Sequence, residues 1–304
     1  MYDLIIIGGG PAGLTSAVYA ARKLLKALLI SHDLGGQVNE TMRIENYMGY
    51  QFIEGPELIE KFNKQVAQYP LEQKVGAKVS RVSRQDSVFE VKIESGETFR
   101  SKAVIFATGK RSRSLNVPGE AEFRGKGVSY CAICDAPVFT GMKVAVVGGG
   151  NSALEATYDL IKMAEFVYLV SLTPLTGDPL TINKVKDAPN LTIFIEHQVE
   201  KIEGQEFVEA VWIKDFKTGE PKRLEVAGIF VEIGLVPNSE PVKDLVTLNQ
   251  WGEVKITKTC ETEVPGLFAA GDVTDVPEKQ IAIAAGEGAK AALQADRYLR
   301  NLGG

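Results

Sequence analysis

The stretch "YDLIIIGGGPAGLTSAVYAARK", residues 2–23, decides the fold of this chain. Its apolar run predicts a buried strand, and Gly8, Gly10 and Gly13 follow in the spacing Gly-x-Gly-x-x-Gly before a predicted helix. In such a turn the first glycine allows the tight bend and the second lets the backbone approach a pyrophosphate. The third lets the helix pack closely on the strand, and the helix N-terminus faces the phosphates. The stretch therefore predicts a dinucleotide-binding domain.

The same plan occurs a second time in the chain. The stretch "MKVAVVGGGNSALEATYDLIKM", residues 142–163, has a strand, the series Gly148, Gly150 and Ala153, and a helix. The two fingerprints start 140 positions apart (148 − 8). Because each follows a strand and opens a helix, the sequence predicts an α/β fold with two Rossmann-like domains of three-layer β/β/α type.

The second domain is predicted to be inserted into the first. Two apolar strands with similar endings, at 103–107 and 267–270, flank the second fingerprint. We therefore assign residues 1–113 and 244–304 to a discontinuous dinucleotide-binding domain. Residues 114–243 form the inserted domain, which carries the second fingerprint.

Composition and charge narrow the class of protein. The chain has 304 residues, 45% of them hydrophobic and 24% charged, which is typical of a soluble globular protein with two domains. A net charge of −5 gives no electrostatic footprint for nucleic acid. The N-terminus lacks the basic region of a signal peptide, and the apolar runs are shorter than the roughly 20 residues of a membrane span. We expect a cytoplasmic protein with no membrane or nucleic-acid partner.

The segment "SYCAICDAP", residues 129–137, places Cys131 and Cys134 three positions apart. A metal clip, a structural disulfide and a redox pair all fit this spacing. A secreted disulfide scaffold uses more cysteines, and a zinc site needs further ligands, whereas His32 and His197 lie far away in the sequence. In a cytosolic chain a single Cys-x-x-Cys favours redox work.

Asp135 directly follows the cysteine pair. The thiolate is the reactive form of cysteine, so a neighbouring acid or base is useful, and Asp135 is the nearest local candidate. The alternative is a solvated acid at a helix start. Cys260 and Trp251 lie outside the motifs, and we interpret both as packing residues.

The motifs together resemble one family. Strand-GGGPAG-helix, "GGQV", "IENYMGY", "ATG", "GVSYCAICD", "GGGNSALE" and "VPGLFAAGDV" occur in this order. Over nearly its whole length the sequence resembles the low-molecular-weight thioredoxin reductases. This resemblance implies a homodimeric flavoprotein with one domain for FAD and an inserted domain for NADPH. It also implies that Cys131 and Cys134 form a disulfide, that Cys134 faces the flavin, that Cys131 attacks thioredoxin and that Asp135 moves protons.

The resemblance further implies the residues that contact FAD, which lie in the first fingerprint, in loops after strands and at the start of the last helix. They are Gly8, Gly10, Pro11, Ala12, Gly13, Ser31, Gly35, Gly36, Gln37, Asn46, Val79, Thr108, Gly109, Gly271, Asp272, Gln280, Ile281 and Ala282. The acid that usually follows the second strand and binds the ribose is missing, because this chain has Ser31 and His32 there and Asp33 slightly later.

The sequence departs from the family at the site for the 2′-phosphate of NADPH. From residue 166 to residue 183 there is no Lys, Arg or His, and the only charge is Asp178. A 2′-phosphate calls for charge-assisted hydrogen bonds worth about 1.5–3 kcal/mol each. We therefore expect a donor other than NADPH. A reduced ferredoxin, a reduced deazaflavin, or NADH or NADPH held by other residues all remain open, and the second fingerprint is either an NADP or NAD site or a packing turn.

The predicted function is that of an FAD-dependent disulfide reductase acting on thioredoxin or a thioredoxin-like protein. Two alternatives stay open: a conventional NAD(P)H-thioredoxin reductase with an unusual nucleotide site, and a redox sensor flavoprotein without multiple turnover. Flavoproteins of the ferredoxin–NADP reductase branch share this architecture but lack the Cys-x-x-Cys, so the intact pair argues against them.

Overall fold

The computed structural model describes residues 1–41 and 44–302 and shows an α/β fold built on two largely parallel sheets. The first part of the chain forms β1 (Tyr2–Ile7), α1 (Pro11–Arg22), β2 (Ala27–Ser31), a 3-10 turn (Gly36–Glu40), α2 (Gly55–Val66), β3 (Glu72–Val75), β4 (Val79–Gln85), β5 (Val88–Ile93), β6 (Thr98–Phe106) and β7 (Lys110–Ser112). The middle part forms β8 (Val128–Ser129), α3 (Ala132–Asp135), a 3-10 turn (Ala136–Phe139), β9 (Lys143–Val147), α4 (Asn151–Leu160), β10 (Phe166–Ser171), α5 (Pro179–Val185), β11 (Leu191–Ile195), β12 (His197–Gly204), β13 (Val208–Asp215), β14 (Pro221–Glu225), β15 (Gly228–Val231) and β16 (Leu235–Pro237). The last part forms a 3-10 turn (Glu240–Val242), β17 (Leu267–Ala269) and α6 (Ile281–Leu302).

The first sheet has the strand order β3-β2-β1-β6-β5-β4, and β17 also pairs with β6. The strands β3, β2, β1, β6 and β17 are parallel, whereas β4 and β5 are antiparallel additions. The second sheet has the order β11-β10-β9-β15-β8 and is parallel throughout, and β12, β13 and β14 form a separate antiparallel sheet. Parallel strands buried on both faces explain the continuous apolar runs of both fingerprints.

Alternation along β1 shows how three layers form. Successive side chains of a strand point to opposite faces of the sheet. Leu4 and Ile6 pack with residues of α1 and α6, and Ile5 and Ile7 pack with residues of β4 and β5. The strand β9 repeats this alternation between α4 on one side and the β12-β13-β14 sheet on the other. The predicted β/β/α fold class is therefore confirmed for both halves.

A two-stranded ribbon links the two sheets. The strands β7 and β16 pair antiparallel, with Ser112 opposite Leu235 and Lys110 opposite Pro237. The chain leaves the first sheet through β7 after β6 and returns through β16 before β17. The strands predicted at 103–107 and 267–270 are observed as the end of β6 and as β17.

Two expected packing residues behave differently. Cys260 is fully buried and is not part of a disulfide. The prediction for Trp251 is wrong, because 68% of this residue is exposed. Trp251 lies in a tight turn in which Asn249 Oδ1 accepts its backbone N–H and Gly252 N donates to the Asn249 carbonyl, so the side chain stays at the surface. None of the helices within residues 1–41 and 44–302 is both long and apolar enough to cross a bilayer.

Candidate functional site

The first fingerprint turn uses its three glycines in different ways. Gly8 has a φ of +113°, and a Cβ atom there would lie 2.2 Å from the carbonyl oxygen of Ala107. A Cβ atom on Gly13 would lie 1.8 Å from the carbonyl oxygen of Gly8, so α1 packs directly on the turn. At Gly10, by contrast, no heavy atom lies within 4 Å of an ideal Cβ. The turn thus leaves space at the N-terminus of α1, which fits the diphosphate of a dinucleotide.

Pro11 and Ala12 extend this turn into α1. Pro11 occupies the first turn of the helix, where its missing N–H has no consequence. The Ala12 Cβ lies 3.0 Å from the ideal Cβ position of Gly271, and the Ala12 carbonyl oxygen lies 2.1 Å from the ideal Cβ position of Gly288 in α6. Small residues therefore let α1, α6 and the Gly271 turn meet beside the fingerprint.

The loop after β2 folds back onto the same turn. Ser31 is buried and donates from Oγ to the carbonyl oxygen of Asp33, and Gly35 N donates to the carbonyl oxygen of Gly9 at 2.7 Å. Gly36 N donates to Asp33 Oδ1 at 2.9 Å. The Asp33 carboxylate is therefore engaged inside the loop and does not replace the acid that is missing after β2.

Three of the predicted FAD residues, Asn46, Gln280 and Ile281, meet near the start of α6. Asn46 Nδ2 donates to Gln280 Oε1 at 3.1 Å, which joins residues 234 positions apart. Ile281 packs against the apolar cluster that contains Ile44, Ile53 and Leu58. The loop around Asn46 therefore meets the N-terminal end of the last helix.

At the ribbon, Thr108 Oγ1 donates to the carbonyl oxygen of Asn238, and Asn238 Nδ2 donates back to the Thr108 carbonyl, both at 2.9 Å. Gly109 follows with a φ of +64°, where the chain turns into β7. Gln37 Nε2 donates to the carbonyl oxygen of Lys110 at 2.9 Å. The loop after β2 is thus tied to the first residue of the ribbon.

Two lysines that share one glutamate act electrostatically on Asp272. Lys110 Nζ lies 2.5 Å and Lys279 Nζ lies 3.4 Å from Glu253 Oε1, and all three side chains are largely buried. Burial raises the pKa of Asp272, and the charges of Lys279 and Lys110 act against that rise. Burial and the charge of Lys110 lower the pKa of Lys279. The role of Asp272 as a contact of the ribityl chain stays a prediction.

Val79 and Ala282 lie apart from these polar contacts. Val79 begins β4, is 7% exposed and packs in the apolar cluster between β4–β5 and the first sheet. Ala282 is exposed in the first turn of α6. Their roles as FAD contacts stay predictions.

Cys131 and Cys134 form a disulfide with a Cα–Cα distance of 5.3 Å. Ser129 Oγ donates to Asp135 Oδ2 at 2.6 Å and accepts from the Cys131 N–H at 3.1 Å. Asp135 is 3% exposed, so the alternative of a solvated acid is wrong. Within the described ranges, no group of three or more His, Cys, Asp or Glu residues is arranged to hold a metal ion. This arrangement of a disulfide with a buried acid on the same short helix fits redox chemistry.

The disulfide lies partly at the surface. Both cysteines are half-buried, and Ile133 between them is 69% exposed. No hydrogen bond in the described part of the chain joins either cysteine to the first fingerprint. The structure brings the three predicted catalytic residues together, beside β8 of the second sheet.

The second fingerprint has the same turn geometry as the first. Gly148 has a φ of +146°, and a Cβ atom there would lie 2.3 Å from the carbonyl oxygen of Glu232. At Gly150 no heavy atom lies within 4 Å of an ideal Cβ, and Ala153 is fully buried. The strand β10 ends at the buried Ser171, whose Oγ donates to the carbonyl oxygen of Thr173. The space beside α4 therefore matches the space beside α1.

Asp178, the only charged residue between residues 166 and 183, forms local hydrogen bonds at the start of α5. Asp178 caps α5 by accepting from Thr181 N at 3.0 Å, and its own N–H donates to Asn151 Oδ1 at 2.7 Å. No basic side chain at this edge of β10 is available from residues 166–183.

Glu232 is a residue of the site that the sequence analysis missed. It follows β15, and its Oε1 accepts a hydrogen bond from Ala132 N at 3.2 Å, at the start of the helix that carries the cysteines. Burial raises the pKa of Glu232 to about 7, the Ala132 N–H opposes this and the Glu155 carboxylate adds to it. Glu232 occupies the position in the second half that Ala107 occupies in the first, since their carbonyl oxygens face Gly148 and Gly8 respectively. An acid where the first half has alanine is the sequence feature that could have identified it.

Comparisons with known proteins agree with this geometry. The family model for pyridine nucleotide-disulphide oxidoreductases matches residues 2–288. The chain is 42% identical over 299 residues to "NADH dehydrogenase" from Bacillus subtilis (strain 168), with 98% of this chain and 58% of that relative covered. It is 41% identical over 304 residues to a component of the alkyl hydroperoxide reductase from Pseudomonas putida, with the same shares covered. The chain thus spans somewhat more than half the length of these relatives.

A solved structure matches the chain at full length. The thioredoxin reductase from Streptococcus pyogenes MGAS5005 superimposes with a TM-score of 0.93 at 36% identity, and the match covers 99% of both chains.

Proposed function

Because this chain belongs to the family of pyridine nucleotide-disulphide oxidoreductases, we propose that it is an FAD-dependent disulfide reductase that uses NADH and acts on thioredoxin or a thioredoxin-like protein. The observation that carries the proposal is the disulfide between Cys131 and Cys134 next to the buried Asp135, in a chain with two open dinucleotide turns. The thioredoxin reductase that matches over the full chain supports this class of substrate.

Residues of the first half fit FAD. Gly10 and the N-terminus of α1 would take the diphosphate, Asp272 the ribityl chain, and Asn46 with Gln280 the region of the ring. When bound, FAD supplies a carrier that takes two electrons from a nicotinamide and delivers them to a disulfide. Lys110 and Lys279, which share Glu253 Oε1, act electrostatically on Asp272.

The cysteines perform the exchange with the partner protein. Once reduced, the Cys131 thiolate attacks one sulfur of the partner disulfide, forms a mixed disulfide and releases the other partner sulfur as a thiolate. The Cys134 thiolate then attacks Cys131, which reforms the internal disulfide and releases the second partner thiolate. The exposed Ile133 leaves this side of the pair accessible to a protein. In this proposal Asp135, whose carboxyl group accepts from Ser129 beside the pair, holds the proton that is exchanged with the thiols.

The proposed donor is NADH rather than NADPH. The turn at Gly148 and Gly150 has the space that a dinucleotide diphosphate needs. The edge of β10 has no lysine, arginine or histidine in residues 166–183 for a 2′-phosphate. A relative at 42% identity carries the name "NADH dehydrogenase", which supports the same nucleotide. The homodimer implied by the resemblance remains a prediction, and sedimentation of the purified protein tests it.

An anaerobic titration of the FAD-loaded protein tests the proposal. NADH, NADPH, reduced ferredoxin and reduced deazaflavin are added separately, and flavin absorbance and thioredoxin thiols are recorded. We expect NADH to bleach the flavin rapidly and to support many cycles of thioredoxin reduction without dithiothreitol. Bleaching by ferredoxin or deazaflavin but not by NADH would refute the proposed donor, and bleaching without multiple turnover would identify a sensor instead.

A further inference from the structure

Glu232 joins the second fingerprint to the helix that carries the cysteines. Its backbone N–H donates to the carbonyl oxygen of Val147 at 2.8 Å, and its own carbonyl oxygen lies 2.3 Å from the ideal Cβ of Gly148. Its side-chain Oε1 accepts from the N–H of Ala132 at 3.2 Å. A single residue therefore contacts both the nucleotide-type turn and the first residue of α3.

The Glu232 carboxyl group acts as a cap for α3. Cys131 occupies the N-cap position and makes no side-chain cap hydrogen bond, since its sulfur is bonded to Cys134. Glu232 supplies an acceptor for the exposed helix N–H from a neighbouring strand. Because Ala132 N is four bonds from Cys131 Sγ, standard bond lengths place the carboxyl oxygen and the sulfur within about 8 Å.

Few charges compete with this carboxyl group. Within residues 1–41 and 44–302 Glu232 forms no salt bridge, and Glu155 on α4 is the neighbouring acid that adds to its electrostatic environment. Asp135, the carboxylate at the end of the short helix α3, accepts from Ser129 Oγ. Burial raises the pKa of Glu232 to about 7, so its charge changes near neutral pH.

We propose that Glu232 is a positioning residue for the disulfide chemistry: its carboxyl group fixes the N-terminus of α3, and its charge governs how readily the Cys131 thiol ionises. The inference rests on the proposed function, because the thiol exists only after the disulfide is reduced. A charged Glu232 disfavours the Cys131 thiolate by like-charge repulsion, and a protonated Glu232 does not. The two groups therefore titrate as a coupled pair. The thiolate attacks the partner disulfide, so this pair sets the pH at which attack begins.

Thiol alkylation measures this coupling directly. The FAD-loaded protein is reduced with dithiothreitol and freed of it, and iodoacetamide rates at Cys131 and Cys134 are followed by peptide mass spectrometry over a pH series. Glu232→Gln keeps an acceptor for Ala132 N but removes the charge. At an effective dielectric constant of about 20, we expect the Cys131 midpoint to move down by about one pH unit, and by more than that of Cys134. Glu225→Gln, at an exposed ion pair on β14, serves as the matched control without a shift.

A substitution that keeps the charge gives the second reading. Glu232→Asp retains the negative charge, so its Cys131 midpoint is expected to stay closer to the wild-type value than the midpoint of Glu232→Gln does. A Glu232→Gln midpoint equal to that of the wild type in a variant with unchanged flavin content and melting temperature, or equal shifts in Glu232→Asp and Glu232→Gln, would overturn the inference. No nucleotide or partner protein is present, so failure of the NADH titration would leave this result standing.

Discussion

Lys110 Nζ lies 2.5 Å from Glu253 Oε1, and this ion pair joins the ribbon between the two sheets to the segment that precedes β17. Lys110 is the first residue of β7, and its carbonyl oxygen also accepts from Gln37. Lys279 shares the same carboxylate oxygen at 3.4 Å. The contact thus couples three segments that are distant in sequence, and Glu253 is the residue that holds them together.

Replacement of Glu253 by glutamine is expected to destabilise the protein by about 2 kcal/mol at neutral pH, because two buried lysines lose their counter-charge. Burial alone would raise the pKa of Glu253, but hydrogen bonds from Lys110 and Asn249 and the nearby lysine charges lower it overall. A carboxyl group whose pKa is lower in the folded than in the unfolded state stabilises the protein at pH values above the unfolded-state pKa. This stabilisation is lost as the pH falls through the folded-state pKa. Urea unfolding at several pH values should therefore show the difference between wild type and variant shrinking in acid, whereas a difference that grows in acid would contradict this assignment.

The glycines of the first fingerprint offer a matched pair of substitutions. Gly13→Ala places a Cβ atom 1.8 Å from the carbonyl oxygen of Gly8, so we expect misfolding or a large loss of stability. Gly10→Ala meets no heavy atom within 4 Å, and the φ of Gly10 is −77°, so the fold should persist. Its methyl group occupies the space assigned to the diphosphate, and we expect FAD binding to weaken at least about tenfold. Thermal unfolding and flavin content separate the two effects, and a Gly10→Ala protein with unchanged FAD affinity would count against the diphosphate position.

The buried Asp135 is expected to be needed for proton transfer at the thiols. Asp135→Asn keeps an oxygen that accepts from Ser129 but cannot exchange a proton, so the rate of thioredoxin reduction should fall by about 100-fold. Ser129→Ala removes the hydrogen bond and leaves the acid, and a smaller loss is expected. Steady-state rates with flavin content as the control measure both. Equal losses in both variants would show that the contact is structural.

A substitution at the end of β10 is expected to shift the nucleotide preference from NADH towards NADPH. Leu172 follows the buried Ser171 and is 55% exposed, at the position where the second strand of such a domain meets the adenosine ribose. Leu172→Arg offers a charge-assisted bond to a 2′-phosphate, and kcat/KM for NADPH should rise about tenfold. Phe216→Arg, 57% exposed in the β13–β14 hairpin, adds the same charge elsewhere. Equal gains from both substitutions would mean that the effect is one of net charge.

Local patterns were sufficient for the predicted strands, turns and redox pair. The fingerprints around Gly8 and Gly148 follow from short-range rules, and in both the first glycine has a positive φ. The contacts of Glu232 and Glu253 arise from the meeting of segments that are far apart, Ala132 with Glu232 and Lys110 with Glu253, and no sequence period marks them. For Trp251 the prediction of packing is wrong. The turn formed with Asn249 keeps this side chain at the surface.

Whether electrons from NADH reach the Cys131–Cys134 disulfide can be measured directly. The FAD-loaded protein is reduced anaerobically with one equivalent of NADH, quenched in acid, alkylated and analysed by peptide mass spectrometry. We expect labels on both Cys131 and Cys134 after NADH, and no label on either without it. Flavin bleached by NADH while Cys131 and Cys134 remain joined would show that the disulfide does not receive the electrons.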